Sequence, residues 1–152
     1  GMATKLTAAR IASWSGIRTV IANASRDGVL ADAVGDTRVG TTFAGHDRRL
    51  GARKLWIAFA ADVRGAIVVD DGARTALTRR GTSLLPAGVR EVAGLFVEGD
   101  AVDVRTVGGE VFARGMVYAT SDELRAAAGR HTADLPDGMP HEVIHRDDLV
   151  VF

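Results

Sequence analysis

The sequence contains no cysteine, which excludes disulfides, thiolate metal sites and cysteine nucleophiles and leaves the redox compartment open. Aromatic residues make up only 5%, little for the stacking platforms that hold single-stranded nucleic acid. Charge of one sign is also missing. Nineteen basic residues balance nineteen acidic ones, so no global field draws in nucleic acid or an anionic membrane, although a local patch remains compatible with this balance. No apolar run approaches the length of a membrane span, and the N-terminus has no signal-peptide apolar region. A cytoplasmic protein with no membrane partner is therefore expected.

What is present is the composition of a folded chain: 152 residues, 47% hydrophobic and 25% charged, enough for one ordinary domain or two small ones. The most organised stretch is Ile67 to Val89. Ile67-Val68-Val69 reads as a buried strand, and Asp70-Asp71 offer oxygens to the free N–H groups of a following helix. Adjacent aspartates before a helix are far more often a cap than a catalytic dyad. Ala73, Ala76, Leu77 and Arg80 then recur at helical spacing and predict a core-facing stripe, with Arg74 and Arg79 in water. Gly81 is the expected left-handed stop, and residues 83–89 lead back into an extended segment.

Before this stretch the pattern is helix, strand, helix, strand. A helix is expected from Thr4 to Ser15 closed by Gly16, and a strand over Arg18–Ala22. A second helix around Val29, Leu30, Ala33 and Val34 takes Asp27 as N-cap and Gly35 as stop, and a second strand covers Val39–Phe43. This is the rhythm of an α/β layer, but two strands cannot cover a sheet, so the region is expected to be the end of a larger domain. His46-Asp47-Arg48-Arg49 marks the connection, followed by a packing helix over Leu50–Ala61 that carries Trp56, Ile57 and Phe59.

After residue 89 the pattern turns to β. Val92 and Leu95-Phe96-Val97 precede a turn at Glu98-Gly99-Asp100, and Val102, Val104 and Thr106 alternate with Asp103 and Arg105. Gly108-Gly109 signals a hairpin whose return strand spans 111–118. Thr120 and Glu123 have capping-box spacing ahead of a short helix ended by Gly129. Residues 132–142 are expected to be mostly loop, and Leu149–Phe152 a final strand that closes a small barrel. His131, His141 and His145 do not form a metal or acid–base pattern and are read as structural, with Asp147 capping the final turn or pairing with Arg146. No metal site is expected.

Two blocks carry a family resemblance. Gly1-Met2-Ala3-Thr4-Lys5-Leu6 resembles the glycine-methionine-x-threonine-lysine-leucine motif near the end of the amino-acid-kinase domain in the glutamate 5-kinase family. From Gly65 onward, Val69–Ala73, Gly81–Val89, Ser121–Leu124, Gly129–His131 and Val143–Asp147 are similar to the C-terminal PUA domain of the same family. The resemblance implies an α+β fold: a small mixed β-barrel of PUA type (65–152), preceded by a helix-strand-helix-strand remnant of an α/β amino-acid-kinase domain (1–45) and a helical connection (46–64). It implies an enzyme of proline biosynthesis that phosphorylates the γ-carboxylate of L-glutamate with ATP and Mg²⁺, as a homo-oligomer subject to feedback by proline. The glycine-rich phosphate loop and the glutamate-binding loop of that family are not in this sequence, so the chain alone is expected to be inactive.

Phosphoryl transfer is catalysed by positioning and by positive charge around the phosphates. By spacing alone Lys5 is more often a solvated surface charge. The resemblance reverses that order and implies that Gly1, Met2, Ala3, Thr4 and Lys5 belong to an ATP site at a helix N-terminus, with Lys5 catalytic. The alternative is an RNA-binding PUA module, with Arg74, Arg79, Arg80 and Arg90 on phosphates and the acidic neighbours Asp70, Asp71 and Glu91 opposing it.

Overall fold

The computed structural model describes residues 1–35, 38–47, 49–136 and 138–152. Arg48 of the expected connection and residue 137 of the expected 132–142 loop lie outside the described residues. The chain divides into two compact units, residues 1–55 and 56–152.

In the first unit, helix α1 spans Met2–Trp14 and starts two residues earlier than expected, with Gly1 as N-cap. Gly16, at φ +77°, follows it in the left-handed conformation that ends helices. Ala9 is its one buried residue. The Trp14 ring stacks on His46 with centroids 4.0 Å apart. Strand β1 (Thr19–Ile21) pairs antiparallel with β2 (Thr41–Phe43) on either side of helix α2 (Val29–Val34), which gives the expected order of elements. One cap differs. Gly28, not Asp27, is the N-cap of α2, without a side-chain bond, because the chain enters the helix at φ +73°, where glycine is not strained.

Helix α3 (Ala52–Phe59) spans the division between the units, and its Ile57 and Ala58 are buried. The second unit is built on strands β3 (Val63–Val69), β4 (Val89–Gly94), β5 (Ala101–Thr106), β6 (Val111–Met116) and β7 (Leu149–Val151). They form one sheet in the order β4-β3-β5-β6-β7, antiparallel except for the parallel β3–β5 pair. The alternation read in β5 holds: Val102, Val104 and Thr106 are buried. β7 pairs with β6, and outside the strands a bridge from Leu84 to Ile144 joins the segments that lead into β4 and β7. The core gathers Ile67, Val69, Val102, Val104 and Ile144 from the sheet with Leu77 and Leu124 from its helices.

Three polar devices fix this unit. Asp70 Oδ1 accepts from Ala73 N–H at 2.8 Å and starts helix α4 (Asp71–Thr75), which gives way to a π turn over Ala76–Arg80 closed by Gly81 at φ +60°. The π turn changes the expected stripe. Leu77 is buried and Ala73 and Ala76 are half-buried, but the wider turn carries Arg80 off the apolar face into solvent. Arg74, expected in water, is partly covered, with Glu110 Oε2 at 3.0 Å and the Phe112 ring beneath its guanidinium. In helix α5 (Ser121–Ala127) the capping box is complete, and Arg125 donates to the outward carbonyls of Val92 and Gly94 on β4. Finally, half-buried Arg114 on β6 bonds Asp103 of β5 at 2.9 Å and the Ala58 carbonyl of α3 at 2.8 Å.

Gly115 sits where β6 passes under the segment leading to β7. A Cβ there would lie 2.5 Å from Ile144 Cγ2 and 2.9 Å from the Asp148 carbonyl. Gly115→Ala is therefore expected to destabilise the chain by about 1–3 kcal/mol in denaturant unfolding, and a loss too small to measure would contradict this packing. The bond from Thr120 N–H, with a second from its hydroxyl, holds the Glu123 carboxyl below its ordinary value of 4.5. A depressed carboxylate contributes its full stability above the ordinary value and loses it as pH falls through the lower folded-state value. Stability measured from pH 5 downward should thus fall less steeply in Glu123→Gln than in the parent; parallel curves would remove the capping carboxylate as the cause.

Candidate functional site

The residues expected at a nucleotide site fall together on one turn. Gly1 caps α1, Lys5 N–H points back to the Gly1 carbonyl at 3.4 Å, and no acidic residue stands in the first turn. Thr7 Oγ1 bonds the Ala3 carbonyl at 3.1 Å. Gly1 to Lys5 are all exposed. The first amides of this helix have no side-chain cap, so the turn offers N–H donors and an ammonium to an anion. Among the described residues no group of three or more His, Cys, Asp or Glu is arranged to hold a metal ion.

The four arginines of the alternative site divide. Arg74 is paired with Glu110, and Arg90 with Asp70 Oδ2 at 2.8 Å. Arg79 and Arg80 are exposed on the π turn. Only Arg80 of the four lines a cleft of the second unit with a volume of about 700 Å³. Its floor is apolar, with Ala76, Leu77 and Leu84, and its rim carries Thr82, His145 and Arg146. The turn holding the last two is pinned by Arg146 N–H donating to Ser83 Oγ at 3.1 Å. Its cap differs from the expected one: His145 Nδ1, not Asp147, accepts the turn's free amide, that of Asp147, at 3.2 Å. The cleft escaped the sequence reading because its walls, 70–88 and 142–146, are far apart in the chain. The spacing of the three histidines gave no hint of it.

Compared with known proteins, residues 65–139 match the PUA domain family. The 70–88 wall of the cleft lies within the matched residues, whereas Glu142, His145 and Arg146 lie beyond them. Over 150 residues the chain is 48% identical to a glutamate 5-kinase of Nocardia farcinica, covering 99% of this chain and 40% of that protein. It is 44% identical over 149 residues to a glutamate 5-kinase of Corynebacterium glutamicum, 98% of this chain and 40% of that protein. The chain spans about two fifths of the length of the curated relatives it matches, in their C-terminal region. A solved PUA domain from Aeropyrum pernix aligns with 61% of this chain and 48% of its own, at 26% identity and a TM-score of 0.43. No helix among the described residues is long and apolar enough to cross a membrane.

Proposed function

We propose that this chain is the C-terminal part of a glutamate 5-kinase, which transfers the γ-phosphoryl group of ATP to the side-chain carboxylate of L-glutamate at the entry to proline biosynthesis. The observation that carries the reading is the 48% identity to a named glutamate 5-kinase along 99% of the chain. In this reading residues 1–45 end the amino-acid-kinase domain, 46–64 connect, and 65–152 are the PUA domain, with a structural or regulatory role in a homo-oligomeric enzyme. The surface of the first unit supports it. Met2, Ile17, Leu30 and Val34 are 58–86% exposed, apolar area that the rest of a kinase domain would cover.

The turn Gly1 to Lys5 suits the nucleotide phosphates: Ala3 and Thr4 would give amides, and Lys5 the positive charge that stabilises the transferring group. ATP would supply the phosphoryl group and Mg²⁺ its charge neutralisation, with the metal entering on phosphate oxygens and on ligands from the remainder of the kinase domain. With that remainder joined to this chain, ATP- and glutamate-dependent phosphorylation is expected, and Lys5→Ala should lower turnover about a hundredfold, ~2.7 kcal/mol of transition-state stabilisation. Unchanged turnover would take Lys5 out of the mechanism.

A second reading, an RNA-binding module, is favoured by one observation: exposed Arg79 and cleft-lining Arg80 stand beside an apolar-floored cavity on the PUA domain. It predicts salt-sensitive binding of generic single-stranded RNA by the full chain. Arg79→Ala/Arg80→Ala would flatten the plot of log affinity against log salt by about 1.4. Absence of association at low salt would sink it.

A further inference from the structure

His145 sits between two sets of partners that cannot both be served. Its Nδ1 accepts from Asp147 N–H at 3.2 Å, so it caps the turn Arg146–Asp148 only while that nitrogen carries no proton. Two carboxylates stand just beyond hydrogen-bond distance: Glu142 Oε2 is 3.9 Å from Nε2, and Asp147 Oδ2 is 3.6 Å from Nδ1. From the neighbouring segment the Tyr118 ring lies parallel to the imidazole at 6.5 Å, and its hydroxyl is held by buried Asp148 at 2.7 Å. Across the cleft, Asp70 and Arg80 share the lining with Glu142, His145 and Arg146.

We infer that His145 is a proton-operated latch on the wall of the cleft. When Nδ1 takes a proton from water it becomes a donor and faces the Asp147 N–H donor at the same spot. The cap opens, the Asp147 amide turns to solvent, and the imidazolium draws the Glu142 and Asp147 carboxylates towards its two N–H groups. Arg80 and Arg146 oppose the added charge, and the two carboxylates favour it. The cleft wall therefore has two arrangements, one for each charge state of the imidazole. The device is independent of the kinase assignment, because every group in it lies within 70–148.

The test is NMR of the full chain over about pH 5 to 8. The Asp147 amide resonance is expected to move with the same midpoint as the His145 ring, together with the Arg146 amide, which joins the turn to the opposite wall by donating to Ser83 Oγ. In His145→Asn, which keeps a capping oxygen but does not titrate, these amides should stay still. An Asp147 amide that is motionless while His145 titrates, or one that moves equally in His145→Asn, overturns the latch.

Discussion

The second unit depends on the guanidinium of Arg114. It joins the parallel part of the sheet to elements at either end of that unit: Asp103 on β5, the last turn of α3 through Ala58, and the Phe152 ring, whose centroid is 6.0 Å away. The Arg114 and Asp103 side chains are only 21% and 14% exposed. A pair this covered is costly to break from one side, because the remaining charge stays desolvated without its partner. Its worth to the fold is therefore chiefly one of arrangement. Register between β5 and β6 and the approach of α3 to the sheet are set by the same planar group, and either one misplaced would strand a charge.

Around that centre, local rules account for most of the elements. The caps at Asp70 and at Thr120 with Glu123, the stop at Gly81 and the alternation in β5 were readable because each depends on residues within four positions of one another. What the sequence hid is set at long range or by competing geometry. The π turn at 76–80, within which Leu77 is buried, is announced by no spacing rule. Arg74 looked solvent-facing because Glu110, its partner, is 36 residues away. Asp27 had the chemistry of a cap, and Gly28 won on backbone conformation. The last strand, expected from its apolar run at 149–152, pairs with β6, a partner that the sequence did not specify.

The candidate sites divide in the same way. The turn Gly1 to Lys5 was legible because five consecutive residues on one helix start need no tertiary information. The cleft was not, since two walls more than fifty residues apart create it and His145 looked like an ordinary turn histidine. The arginines were legible as charges but not as available charges: folding commits Arg74 and Arg90 to carboxylates and leaves Arg79 and Arg80 outward.

Arg125 has a further consequence. By occupying the outward carbonyls of Val92 and Gly94, it shields one border of the sheet from main-chain pairing, while the strand at the other border is only three residues long. Neither border is a good template for an incoming strand. Copies of this domain that come together must therefore meet through side chains, where charge and shape can be tuned one residue at a time, and not by extending the sheet from one molecule into the next.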